Sequence, residues 1–196
     1  MAKKLSLLLA AVAVLAVAVP AMANAAPTLR GAVSHASIAT NTTIRGTGVN
    51  VNIHSPLLGN IECSTITLEG KLEVNNDTEG ITGSNTGQAS PPTTGCKNGS
   101  NPVEVTKVTL TDLKSATNGA ATASFTAIVD VGTKECSFTG TNVAANTYSS
   151  GATSLSFTGA TGITGAPSAC GPTGNTLTGS FELELASSGE KLEAFF

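Results

Sequence analysis

The chain contains no tryptophan and one tyrosine, Tyr148. Sugar-binding faces and glycosidase clefts rely on aromatic platforms, so sugar stacking is a poor candidate for recognition here. Charge is also scarce. Ten lysines and arginines stand against 13 acids, a formal net charge of −3, and no basic patch is present. Nucleic acid and anionic membrane surfaces are therefore not expected partners. There are two histidines, His35 and His54, and no Gly-x-Ser-x-Gly elbow. Both histidines read as surface residues rather than as parts of a Ser-His-Asp arrangement. The four cysteines include no closely spaced pair such as C-x2-C, which argues against zinc. EF-hand spacing is missing around Asn75-Asn76-Asp77 and Asn85, so these read as turn residues rather than a calcium loop. No catalytic, cofactor-binding or metal-ligating set is expected.

What is present begins with a leader. Lys3 and Lys4 precede an apolar run from Leu5 to Val19, Pro20 ends it, and small residues follow to Ala25. This is the pattern of a secretory signal peptide cleaved between Ala23 and Ala25. About 15 apolar residues are short for a bilayer span, so no stable membrane insertion is expected after cleavage. Residues 1–25 are set apart as leader, and 26–196 are expected to form one domain. Without Lys3 and Lys4 that domain is two units more negative than the whole chain. The expected location is outside the cell, released or held at the wall.

The cysteines fall into a repeat. Gly59-Asn60-Ile61-Glu62-Cys63-Ser64 recurs as Gly132-Thr133-Lys134-Glu135-Cys136-Ser137. Each copy is followed by a second cysteine in a Gly- and Thr-rich stretch, Cys96 and Cys170. An even cysteine count in an exported chain implies disulfides. The duplication favours Cys63–Cys96 and Cys136–Cys170, one bridge in each half-repeat (about 46–118 and 119–196). Each bridge would close a loop of roughly 34 residues, worth roughly 3.5–4 kcal/mol in the chain-entropy model.

Between turn residues the apolar positions alternate. Val49, Val51 and Ile53 form one such run, ended by Pro56, and Ile66, Leu68, Gly70, Leu72 and Val74 form the clearest, with Glu69, Lys71 and Glu73 on the other face. Val103 and Val105 are out of phase with Val108 and Leu110, which predicts a bulge at Thr106 or Lys107. Ala123, Phe125, Ala127, Val129 and Val131 alternate again, and Leu177 to Leu185 and Leu192 to Phe196 supply late strands. Asn118-Gly119 and Ser149-Ser150-Gly151 read as turns. Glu79 to Lys97 and Gly159 to Gly174 read as loops, the first with a short strand at Ile81. Leu110 to Asn118 is the least strand-like piece, with room for one helical turn. Nine to eleven short strands imply an all-β fold, an antiparallel β-sandwich with a closed β-barrel as the alternative. Glu69, Lys71 and Glu73 are expected to guard an exposed edge.

The order Gly-x-x-x-Cys-Ser, Leu68-Glu69-Gly70 and Gly95-Cys96 continues in the second half as Cys136-Ser137-Phe138-Thr139-Gly140, Leu155-Ser156-Phe157-Thr158-Gly159, Cys170-Gly171-Pro172 and Leu177-Thr178-Gly179-Ser180-Phe181. Over most of residues 45–196 it resembles small exported actinobacterial proteins of unknown function. A fainter similarity, in Gly and Cys spacing alone, is to secreted alkane-oxidation activators. The resemblance implies a cystine-stapled β-fold and no catalytic residues. The expected function is non-enzymatic: binding, adhesion or a structural role, with an extracellular or envelope component as partner and the loops Glu79 to Lys97 and Ala160 to Gly174 as contact sites. Two alternatives stand beside it, a secreted hydrolase using Glu62 or Glu135 as acid or base and a self-assembling surface subunit.

Overall fold

The computed structural model describes residues 26–115, 120–145 and 154–195. The leader, the turns expected at Asn118-Gly119 and Ser149-Ser150-Gly151, Tyr148 and Phe196 lie outside the described residues. Among the described residues the chain is almost entirely strand: β1 (Thr28–Gly31), β2 (Thr43–Ser55), β3 (Gly59–Asn76), β4 (Gly80–Ser84), β5 (Gln88–Ala89), β6 (Thr93–Thr94), β7 (Lys97–Asn98), β8 (Asn101–Pro102), β9 (Glu104–Ser115), β10 (Ala121–Val131), β11 (Lys134–Ala145), β12 (Ser154–Ala166), β13 (Asn175–Leu185) and β14 (Leu192–Phe195). One 3-10 turn, Ser168–Cys170, follows β12.

The all-β antiparallel fold takes the barrel form rather than the sandwich. Strands β2, β3, β4, β9, β10, β11, β12 and β13 pair in that order, and β2 also pairs with both β13 and β3, which closes the ring. Each barrel strand thus lies beside its neighbours in the chain, an up-and-down arrangement. Closure leaves β3 without the free edge expected for it. Glu69, Lys71 and Glu73 stand on its outer face, and Glu69 pairs with Arg45 of β2 instead of repelling a foreign strand.

Alternation sets what faces in. On β10 Ala121, Ala123, Phe125, Ala127 and Val129 are buried, while Thr122, Ser124, Thr126, Ile128 and Asp130 lie between them and are not. Phe138 and Cys136 of β11 are wholly buried, and Ile163 of β12 and Val143 nearly so. Each large apolar side chain removed from water in this way stabilises by about 1.5–3 kcal/mol.

Bulges keep the inward face apolar where the sequence loses phase. Ile128 pairs with Lys107 and Val129 with Val105, so Thr106 is the extra residue, at one of the two positions expected. A second bulge was not apparent from alternation. Asn50 takes φ 50°, so Val49 turns outward (41% exposed) while Val51 and Ile53 line the lumen. The stretch read as a loop from Gly159 is strand as far as Ala166. Phe157, Ala160 and Ile163 lie three apart but face partners only two apart, Gly179, Leu177 and Asn175. Gly159 and Gly162, both at positive φ, absorb the extra residues, so these glycines bend a strand rather than end it. Leu110 to Ser115 also continues β9 as strand, because Leu113, Lys114 and Ser115 pair with Ala123, Thr122 and Ala121.

Both barrel ends are closed. At one, β1 and β14 pair as a two-stranded ribbon carrying buried Leu29, Leu192 and Ala194. Asn75 clamps this ribbon: its Oδ1 accepts from Leu29 N, and its Nδ2 donates to the carbonyls of Leu29 and Ile38. At the other end the 3-10 turn folds over the strand ends. Ser55 Oγ donates to the Cys170 carbonyl, and buried Asn175 donates to the carbonyls of Ile163 and Gly171.

Candidate functional site

The wall has a seam between β3 and β9. Strand β4 has five residues and covers only the ribbon end of this gap. Beyond Ser84 the chain crosses to β9, where the Asn85 amide donates to the Leu110 carbonyl and the Leu110 amide donates to Asn85 Oδ1, and it then returns as a strap. β5 lies on β9 at Val108 and Lys107, and β6 on β3 at Thr65 and Ile66. Two side-chain amides fill the ladder in between. Gln88 Oε1 accepts from Glu69 N and its Nε2 donates to the Thr67 carbonyl. Asn85 Oδ1 accepts from the Leu110 and Gly87 amides. Backbone groups of both strands are thus satisfied without a continuous strand between them.

Behind the seam lies a lumen of about 180 Å³. Its walls are Leu, Ile, Val, Phe and Ala side chains, with Phe157 and Phe181 meeting edge to face at 6.2 Å. Protein cores rarely leave such a space. Small residues account for part of it: Gly46, Ala123 and Ala127 occupy lining positions on strands that elsewhere carry Ile, Val or Phe. The opposite side of the barrel is filled by Phe138, Ile163 and Val143, none of which lines the cavity. The cavity reaches the wall at Glu69, Gly70, Lys71, Ser84 and Asn85. Outside it there is a polar vestibule formed by Glu69, Asn85, Thr86, Gly87 and Gln88. The loop Glu79 to Lys97, singled out from sequence, supplies most of this mouth. The lumen itself was not legible.

The other sequence candidates lie elsewhere. Cys63 is bonded to Cys96 and Cys136 to Cys170. Such bonds persist in oxidising compartments. The first ties the strap to β3 beside the seam, and the second ties the 3-10 turn to β11. Glu62 and Glu135 do not meet. They stand on β3 and β11, on opposite sides of the eight-strand ring, and Glu62 is ion-paired with Lys97 at 3.2 Å. His54 touches Asn60 at 2.8 Å near one end, and His35 touches Glu193 at 3.1 Å near the other; both are exposed. Asn76 Oδ1 accepts from the amides of Thr78 and Glu79, so that asparagine forms a turn. Among the described residues no group of three His, Cys, Asp or Glu side chains is placed to hold a metal ion.

Charge on the outer surface is arranged in pairs. Arg45 lies between Glu69 and Glu184, and its hydrogen bonds to them raise its pKa. Lys191, hydrogen-bonded to Glu182, is raised likewise. On the ribbon, Arg30 and then His35 hold the Glu193 carboxyl below its usual range, and Ser34 does the same for Glu190.

The chain matches no family model, no curated protein and no solved structure. The reading of the site therefore rests on its geometry.

That geometry is the reverse of a bilayer-spanning barrel, which carries its apolar side chains outward and its polar ones within. No helix among the described residues is long and apolar enough to cross a membrane. What the barrel presents is an apolar interior with a polar mouth in its side.

Proposed function

We propose that this is a non-enzymatic exported binding protein that holds a small apolar ligand inside its barrel. The observation that carries this reading is the unfilled apolar lumen of about 180 Å³ behind a seam closed by side-chain amides. An apolar cavity of ~150 Å³ suffices to bind benzene, so this one suits a single ring or a chain of about six to eight carbons. Small eight-stranded barrels commonly hold one such ligand. The leader and the two cystines support release outside the cell, in keeping with the exported actinobacterial proteins that the sequence resembles. The placement of the cysteines supports a duplicated four-strand unit: in each half the first lies near the start of the second strand, and the partner lies between the third and fourth.

The test is thermal melting of the oxidised protein in buffer equilibrated with benzene vapour. A ligand bound only by the folded state raises Tm, by about 2.7 kcal/mol of stability at a hundredfold excess over Kd. Gly46→Val and Ala127→Leu put side chains into the lumen. At Gly46 an added Cβ would meet nothing closer than Leu183 Cδ2 at 3.5 Å, ordinary van der Waals contact, and the valine methyls extend from there toward the lumen. Each variant should melt cooperatively and lose the benzene-induced rise. No rise in the parent protein, or an equal rise in the filled variants, sinks the reading.

A further inference from the structure

We propose that the lumen's natural occupant is a short- to medium-chain monocarboxylate, with its alkyl chain inside the barrel and its head group in the vestibule beside Lys107. The proposal rests on the lumen reading above and adds the chemistry of the head group.

The mouth is amphipathic over one side-chain length. Along β3, Leu68 and Leu72 line the lumen while Glu69 and Lys71 stand outside them. A molecule threaded through the seam keeps one end dry and the other in water. The hydrogen-bonding inventory of the vestibule then selects the head. Three of its side-chain acceptor oxygens are engaged, and Glu69 Oε2 is the exception among its amide and carboxylate oxygens. Asn85 Oδ1 takes two backbone amides, Gln88 Oε1 takes one, and Glu69 Oε1 takes both Nε and Nη2 of Arg45. Its donors are not. Among the described residues the Lys107 ammonium, the Asn85 side-chain amide nitrogen and the Thr109 hydroxyl make no hydrogen bond or ion pair.

Two of these donors converge on one point. A Cβ at Gly87 would lie 2.7 Å from Lys107 Cε, 2.9 Å from Thr109 Oγ1 and 3.5 Å from Lys107 Nζ, so both side chains stand against the strap here. Gly87 has φ 98° and no side chain, and this lets the Lys107 stem pack directly on the strap at the edge of the vestibule. Lys107 is exposed, and its pairing partners on the neighbouring strands, Ala89 and Ile128, are uncharged. Across the mouth Lys71 likewise has no ion pair, and Glu73 is hydrogen-bonded to Ser84. A site with free donors, two uncommitted cations and its nearest carboxylate already held by arginine favours an anionic acceptor. It disfavours an alkylamine, whose head would meet Lys107.

The experiment is calorimetric titration of the oxidised protein with octanoate, 1-octanol and octylamine. The parent protein, Lys107→Met and the lumen-filled Gly46→Val are compared. Octanoate should bind about fivefold more tightly than octanol at low salt, the scale of one partly exposed charge pair. That advantage should shrink at about 0.5 M salt. Lys107→Met should bring octanoate down to octanol and leave octanol unchanged. Equal binding of octanol and octanoate, tightest binding of octylamine, or a Lys107→Met effect common to both ligands overturns the carboxylate head while leaving the lumen intact. If no compound binds, or if Gly46→Val binds both ligands as well as the parent does, the lumen reading itself falls.

Discussion

Asn75 shows how much one amide can carry in a chain with few large side chains. It lies at the end of β3 and makes three hydrogen bonds to the segment that closes the barrel, one to an amide and two to carbonyls. Alanine would leave the Leu29 amide and two carbonyls short of partners beside the buried Leu29 side chain. With about 1 kcal/mol for each bond lost, and more where a group stays dry, Asn75→Ala should cost about 2–3 kcal/mol. Asn75→Asp should cost no less, because it keeps the acceptor but loses both donated bonds. Urea unfolding followed by circular dichroism measures this. A loss under about 0.5 kcal/mol would mean that water replaces the amide without penalty. In the sequence this residue reads only as part of an Asn-Asn-Asp turn. Its neighbour Asn76 does make that turn, and the clamp arises because the first strand of the chain returns to the same place.

At the scale of elements, alternation was readable wherever a strand keeps phase and failed where a bulge carries no apolar marker. Valines on both sides of Thr106 reveal the bulge in β9. Asn50 lies among asparagines and valines that alternate unbroken, so only the backbone shows that Val49 leaves the interior. In the sequence the glycines of β12 resemble loop, because their effect depends on a partner strand with a shorter repeat. The β1–β14 ribbon is an element whose docking should depend on acid. Glu193 and Glu190 both have folded-state pKa values below their ordinary ones, Glu193 chiefly through Arg30 and Glu190 chiefly through Ser34. The unfolded chain therefore takes up protons before the folded one does as pH falls. The stability these groups contribute is complete above the ordinary glutamate range, about pH 4.3, and is lost as pH drops through the lowered values. Melting temperatures between neutral pH and about pH 3 should fall most steeply at the acid end, and Glu193→Gln should flatten that fall. An unchanged slope in the variant would show that Glu193 does not couple ribbon docking to pH.

At the scale of the whole molecule, the pairing of the cysteines was legible because the two copies of Glu-Cys-Ser fix which residues correspond. Closure was not legible: a run of alternating strands does not state whether the last returns to the first, and β2 decides it by pairing on both sides. Nor does alternation report volume, so Gly46 and Ala127 read as weak core positions rather than as space. The two cystines allow closure and access to be separated. They span 33 and 34 residues, so the loop-entropy contribution is the same for each, about 3.5–4 kcal/mol. Their places in the barrel differ. Cys63–Cys96 holds the strap across the seam, whereas Cys136–Cys170 holds the turn that closes one end. Replacing either pair by alanine should shift the denaturant midpoint by a similar amount. Only Cys63→Ala with Cys96→Ala should loosen the mouth, seen as faster amide exchange at Glu69 and Leu110, whose N–H groups bond to Gln88 and Asn85. Cys96 is half-buried while Cys136 and Cys170 are wholly buried, so a mild reductant should break the seam bridge first and reproduce the same exchange pattern. If the second pair of substitutions opened Glu69 and Leu110 equally, the strap would not be what holds the side of the barrel shut.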